Sequence, residues 1–106
     1  MIRAVERYKQ LLEQQAYFEA HEALEELWFP RRFEEDDEIK LLKGFINAAV
    51  SFELNKRGRK LQSKKVWANY LKYRQNIFKA KNKKLFYDLS RFVEQHHKEK
   101  NHFLLT

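Results

Sequence analysis

Residues 17–28 have the sequence YFEAHEALEELW. At about 100° per residue, a helix over this stretch carries His21, Glu25 and Trp28 on one face, beside apolar neighbours. The residues left on a narrow outer face are Glu19, Glu22 and Glu26. The pattern therefore predicts a largely enclosed helix. Its imidazole and carboxylate then need partners, because an unpaired buried polar group costs about 1–3 kcal/mol.

The composition of the whole chain favours helices. The 106 residues are 43% hydrophobic and include only two glycines and one proline, too few for the turns of a sheet. We expect an all-α fold, with residues 1–106 forming one domain: a bundle of about five helices, paired as antiparallel hairpins around a central apolar helix. The absence of cysteine, of a signal peptide and of an 18-residue apolar run predicts a cytoplasmic protein without a membrane segment.

Periodicity and helix-stop signals set the expected helix boundaries. The first helix is predicted over residues 2–14 and the second over 17–28, ending before Pro30. The others are predicted over residues 35–57, 60–80 and 83–98. The inner face of the first helix is predicted to include Ile2, Val5, Tyr8, Leu11 and Leu12. The inner face of the last helix is predicted to be Leu85, Leu89, Phe92, Val93 and His96. The apolar tail, residues 102–106, could dock on the bundle, pair with another subunit or fray.

The third predicted helix is apolar around most of its circumference, so we expect it at the centre of the bundle. Its polar side chains form a ridge at spacings of four, namely Lys43, Asn47 and Ser51. This ridge is the expected partner of His21 and Glu25 across a helix pair. Gly44 would cost about 1 kcal/mol relative to alanine in a helix, which predicts a second helix passing close to it.

The fourth predicted helix has an apolar face with a cation within it. The apolar residues are Trp67, Tyr70, Leu71, Ile77 and Phe78. Arg74 falls among them, so its guanidinium needs a carboxylate, and the acidic first third of the chain, including Glu25, offers candidates.

Charge is divided along the chain. The net charge is +7, yet residues 1–38 hold 5 Lys/Arg and 11 Asp/Glu, whereas residues 39–106 hold 17 and 4. Between Asn55 and Tyr87 there are 12 basic residues and no acidic one. The division favours mutual attraction of the two parts, and the basic stretch could bind phosphates.

Two motifs resemble those of a known family. His21-x-x-x-Glu25-Glu26-x-Trp28 resembles the signature of the bacterial and archaeal domain of unknown function 309. Residues 42–49, LKGFINAA, resemble its second motif, and residues 57–58 fit its helix end. In this chain Lys43 and Asn47 stand where the family usually shows glutamines. The resemblance covers residues 17–58, implies a small all-α bundle, and implies no established activity.

The first functional hypothesis is a site made by the predicted polar cluster, whose members are His21, Glu22, Glu25, Glu26, Trp28, Lys43 and Asn47. In it, His21 would act as general acid or base, Glu25 would orient it, and Lys43 with Asn47 would hold the ligand. A divalent metal on His21 and Glu25 is a less favoured alternative. A purely structural network is the third interpretation. No cofactor is expected.

The second hypothesis is nucleic-acid binding, with Tyr73 as a stacking ring. The candidate phosphate contacts are Lys56, Arg57, Arg59, Lys60, Lys65, Lys72 and Lys79. A third hypothesis is a surface for a protein partner or a second copy, at Trp28, Phe29 or the tail residues 103–105. The sequence favours a binding or interaction role over catalysis and does not identify the partner.

Overall fold

The structure, a computed structural model, describes residues 1–101. This range contains five α-helices: α1 Ile2–Glu13, α2 Tyr17–Trp28, α3 Asp37–Lys56, α4 Lys60–Arg74 and α5 Lys83–Asn101. Two 3-10 segments, Phe29–Arg31 and Gln75–Lys79, follow α2 and α4. The prediction of an all-α bundle is confirmed, while the predicted roles of the tail fall outside the described residues. None of these helices is long and apolar enough to cross a membrane.

The helix ends follow from local chemistry. Asp36 caps α3 by accepting hydrogen bonds from the backbone N–H groups of Glu38 and Ile39, at 2.8 and 3.3 Å. The predicted glycine stop is also confirmed. Gly58 has a φ of +80°, and the next residue, Arg59, donates its N–H to the carbonyl of Leu54 at 2.8 Å, which closes a Schellman motif.

Helix α3 forms the centre of the bundle, as its apolar circumference predicts. Its buried residues are Ile39, Leu41, Leu42, Gly44, Phe45, Ile46, Ala48, Ala49, Ser51 and Phe52. Helix α1 reaches it through Tyr8, whose hydroxyl donates to the carbonyl of Phe45 at 2.7 Å. Ile2 was expected on the inner face of α1 but is 66% exposed, because it starts the helix one turn before the first core residue, Val5.

Helix α4 crosses α3 at Gly44, as the sequence predicts. A methyl group built on Gly44 would lie 2.8 Å from Cβ of Tyr73 and 3.8 Å from the carbonyl oxygen of Tyr70. Both are atoms at or next to the α4 backbone. The two helices could not approach this closely around any larger residue.

The continuous helix predicted to residue 80 is wrong. Helix α4 ends at Arg74, and the side chain of Asn76 donates to the carbonyl of Tyr73 at 2.9 Å, a local bond that competes with continuation of the helix. The predicted apolar face is wrong in part, because Leu71 is 42% and Phe78 is 67% exposed. Tyr70 is the buried residue of α4.

Helix α5 packs beside α4 and supplies the carboxylate that Arg74 needs. Nε of Arg74 lies 2.7 Å from Oε2 of Glu94, and the hydroxyl of Tyr70 donates to the same oxygen at 2.8 Å. The predicted pairing with the acidic first third, including Glu25, is therefore wrong. The physical reason is that α2 and α4 both pack on α3, whereas the side chains of Tyr70 and Arg74 reach Glu94 of α5. The predicted inner face of α5 is confirmed, with Leu89, Val93 and His96 buried.

Replacing Gly44 with alanine should destabilise the protein by about 1–3 kcal/mol, because the added methyl would force α3 and α4 apart. Helix propensity alone would predict the opposite result, because it favours alanine over glycine by about 1 kcal/mol. Chemical denaturation of wild type and Gly44→Ala measures the difference. Gly58→Ala is a comparison without a clash, since its methyl would meet nothing within 4 Å and any loss of stability would come from the positive φ of this residue. A Gly44→Ala protein as stable as wild type would contradict the close-approach account.

Candidate functional site

The central pair of the predicted polar cluster lies at the edge of α2 and is not enclosed. Nε2 of His21 and Oε2 of Glu25 are 2.5 Å apart, one helical turn from each other. Their side chains are 23% and 42% exposed. The prediction of an enclosed pair is wrong because α2 buries a different stripe, formed by Tyr17, Ala20 and Leu24. Solvent reaches the pair, so its contribution to stability is expected to be small.

The polar ridge of α3 does not hydrogen-bond to His21 or Glu25. The amide of Asn47 donates to the carbonyl of Lys43 at 2.8 Å, and the hydroxyl of Ser51 donates back to α3 in the same way. The amide oxygen of Asn47 accepts from the amide of Asn69 on α4 at 3.5 Å, so the predicted network with His21 and Glu25 is wrong. Lys43 instead places Nζ 4.3 Å from the centre of the Trp28 ring.

The predicted polar cluster is thus divided over three surfaces. His21 and Glu25 form one, and Trp28 with Lys43 forms another. Glu22 and Glu26 are exposed on a third side, where they line a shallow hollow with residues of α1. Among residues 1–101, no three His, Asp or Glu side chains are grouped so that they could hold a metal ion.

His21 borders a small groove of about 290 Å³ between α2 and α3. Its lining is Tyr17, Phe18, His21, Val50, Glu53, Leu54 and Arg57. Two of the predicted phosphate contacts belong to this side of the molecule. Arg57 lies 3.6 Å from the carboxylate of Glu53, and Lys56 donates to the carbonyl of Gln15 at 3.1 Å. These two cations are therefore engaged near α2 and lie apart from the rest of the basic stretch.

The surface predicted for a protein partner contains exposed aromatic rings. Phe29 is 52% and Phe33 is 85% exposed. The guanidinium of Arg32 lies 3.7 Å from the centre of the first ring and 4.5 Å from that of the second. The role of this surface in binding a protein partner stays a prediction.

A buried histidine–tyrosine pair joins the two ends of the chain. Nε2 of His96 and the hydroxyl of Tyr17 are 2.7 Å apart, and the ring of Phe52 packs edge-on at 4.8 Å. Burial, with a smaller effect of Glu53, raises the pKa of Tyr17 to about 12. Burial, helped by Lys100, lowers the pKa of the His96 imidazole. Both groups are therefore neutral, and the tautomer of the imidazole decides which of them donates. The sequence placed His96 inside but gave no sign of a partner 79 residues away.

His97, the next residue of α5, stacks on Trp67 of α4, with ring centres 3.9 Å apart and planes within 6°. Burial lowers the pKa of this imidazole as well. The stacked rings form one wall of a cavity of about 480 Å³, which Lys60 and Lys64 also line. Lys60 hydrogen-bonds to Asn55 at 3.2 Å. This end of α4 therefore combines aromatic and cationic groups.

Exposed lysines continue along α4 and into the start of α5. We call the following six residues the basic surface: Lys64, Lys65, Lys72, Lys79, Lys81 and Lys83. Within residues 1–101, no carboxylate oxygen lies within 4 Å of any of their ammonium groups. Three of the predicted phosphate contacts, Lys65, Lys72 and Lys79, belong to this surface. Arg59 is exposed at the start of α4.

A cavity of about 670 Å³ opens beside the basic surface, and we call it the aromatic groove. Its lining is Arg74, Gln75, Ile77, Phe78, Lys83, Lys84, Tyr87 and Asp88. Phe78 and Tyr87 are 67% and 51% exposed. The sequence missed this groove because an unbroken α4 would turn Phe78 inward. The predicted stacking residue, Tyr73, is half-buried with its Cβ against Gly44, and its stacking role stays a prediction.

Stability should fall as the pH drops below about 6.5, the ordinary pKa of histidine. The buried His96 has a lowered pKa, so the unfolded chain binds protons that the folded chain does not. The slope for one such site is at most about 1.4 kcal/mol per pH unit. Chemical denaturation of wild type and His96→Gln between about pH 8 and 5 measures how the free energy of unfolding changes with pH. The variant should show a smaller change than wild type.

Tyr17→Phe is the matched control for this prediction. It removes the hydroxyl but keeps His96 buried, so it should lower stability by about 1 kcal/mol at every pH and keep most of the slope. An identical pH dependence in wild type and His96→Gln would show that this imidazole does not control acid sensitivity.

Comparison with known protein families agrees with the resemblance of the two sequence motifs. The family model described as "Domain of unknown function (DUF309)" matches residues 5–66, more than half of the chain. No curated protein and no solved structure gives a match. The matched segment includes α1 to α3 and the start of α4, so it contains the whole predicted polar cluster and only Lys64 and Lys65 of the basic surface. The resemblance drawn from the sequence is confirmed: the chain belongs to the family of the domain of unknown function 309.

Proposed function

We propose that the protein binds nucleic acid through the basic surface. The observation that carries the proposal is the basic surface, whose six lysines are exposed and have no carboxylate within 4 Å in the described chain. Lysines without ion-pair partners can displace the counterions of a phosphate backbone, which gives affinity without sequence specificity.

The spacing of the lysines suits a phosphate backbone. Lys65 and Lys72 are seven residues apart in α4, which places them about 10 Å apart along one helix face. Successive phosphates of one strand of a duplex lie about 3.4 Å apart along its axis, so this distance spans about three of them. Lys79 and Lys81 extend the positive charge beyond the end of α4. A strand running along α4 would therefore meet several ammonium groups in succession.

The arrangement of the remaining charges supports binding over catalysis. The pair His21–Glu25 is part-exposed, and neither Lys43 nor Asn47 converges on it. The acidic residues Glu22 and Glu26 lie on another side of the molecule, near α1. A phosphate backbone would meet three carboxylates and two guanidinium groups there but only ammonium groups on the basic surface, which favours one orientation of the bound strand.

The double variant Lys65→Gln/Lys72→Gln tests the proposal. Fluorescence anisotropy with labelled RNA and DNA strands of about 16 nucleotides should show wild-type binding that weakens steeply between about 50 and 200 mM salt. The variant should bind about ten-fold more weakly at low salt, and its salt slope should be smaller by about 1.4, the value for two lost phosphate contacts on a single strand.

Arg3→Gln/Arg7→Gln is the matched control, because it removes the same charge from α1, on the side of the molecule where Glu22 and Glu26 of α2 lie. It should bind nearly as well as wild type. The proposal fails if wild type binds neither strand at low salt. It also fails if the two variants lose equal affinity, because net charge alone would then account for binding.

A further inference from the structure

We infer that the aromatic groove receives unpaired bases, so that the protein selects single strands over duplexes. This inference rests on the proposed function and adds the class of nucleic acid. Phe78 and Tyr87 line one cavity of about 670 Å³ and expose more than half of their surface. Neither ring is required to fill the core. Two exposed rings in one groove offer flat apolar faces of the kind on which bases stack.

Two of the three cations that line the groove are neutralised by carboxylates. Arg74 is paired with Glu94 at 2.7 Å, and Lys84 with Asp88 at 3.1 Å. A neutral, flat group is therefore a better occupant of the interior than a phosphate. A base has this character, because it carries no charge and has two apolar faces.

Cations lie at the rim, where the phosphates of a bound strand would run. Lys79 places Nζ 5.8 Å from the centre of the Phe78 ring, and the guanidinium of Arg91 lies 5.9 Å from that of Tyr87. Lys83 also lines the groove and has no carboxylate within 4 Å in the described chain. Each ring thus has a cation beside it, as a nucleotide requires when its base stacks and its phosphate stays outside.

A duplex cannot use this groove in the same way. Its bases are stacked on one another, and exposing one costs a few kcal/mol of unstacking and unpairing. A single strand already presents unstacked bases. Both forms could contact the lysines of α4, but only the single strand would gain the stacking energy. The groove therefore supplies strand selectivity, and the lysines supply general affinity.

The double variant Phe78→Leu/Tyr87→Leu tests the inference, because leucine keeps an apolar surface and removes the ring faces. Its affinity for a single strand should fall by about ten-fold or more, while its duplex affinity and its salt slope should match those of wild type. Lys65→Gln/Lys72→Gln should instead weaken both forms. Phe18→Leu is the control, since Phe18 is 56% exposed but lies on α2.

A second measurement does not depend on the variants folding. A strand carrying 2-aminopurine should lose fluorescence on binding to wild type, because stacking on an aromatic ring quenches this base. The inference is overturned if the emission is unchanged on binding, if wild type binds duplex as tightly as single strand, or if the ring variant weakens both forms equally. Competition by polyglutamate as effective as by the single strand would also overturn it, since the groove would then accept any acidic polymer.

The two proposals fail in different ways. If wild type binds neither single strand nor duplex, the proposed function is wrong. If wild type binds both with a salt-dependent affinity that Lys65→Gln/Lys72→Gln reduces, but without preference for the single strand, the proposed function stands and only the role of the aromatic groove is wrong.

Discussion

The close contact of α3 and α4 at Gly44 is the constraint on which the rest of the structure depends. A methyl group there would come within 2.8 Å of Cβ of Tyr73, so α4 can lie against the central helix only around a residue without a side chain. Because the contact is so close, α4 needs little apolar surface of its own, and Tyr70 is its buried residue. Most of the circumference of α4 is thereby left for solvent, and lysines occupy it.

Polar contacts between distant residues then position α5 and with it the aromatic groove. Glu94 accepts a hydrogen bond from Tyr70 and forms an ion pair with Arg74. Two residues further along α5, His96 hydrogen-bonds to Tyr17. Each pair is far apart in sequence and brings α5 against a different helix. The start of α5 supplies Tyr87, which faces the 3-10 segment that carries Phe78. Affinity and selectivity would thus come from surfaces that a few interior contacts hold in position.

Much of the fold, and little of the candidate site, could be predicted from the sequence. The helical period, Gly44 and Gly58 act within a few residues or through the absence of a side chain, and the sequence predicted their consequences correctly. Periodicity shows which face a residue occupies but does not identify the distant residue it meets. The partner of Arg74 was therefore misassigned. Phe78 was placed inside because nothing in the helical pattern showed that α4 would end at Arg74.

Backbone amide chemical-shift mapping of the labelled protein, titrated with a single strand, tests the central claim most directly, because it locates the binding surface without any substitution. The account predicts that the perturbed amides cluster on α4, on the segment Gln75–Lys79 and at the start of α5, and that those of His21 and Glu25 do not move. Perturbations centred on His21 and the groove between α2 and α3 would contradict it. Such perturbations would indicate that the family motif, which contains His21 and Glu25, forms the binding site.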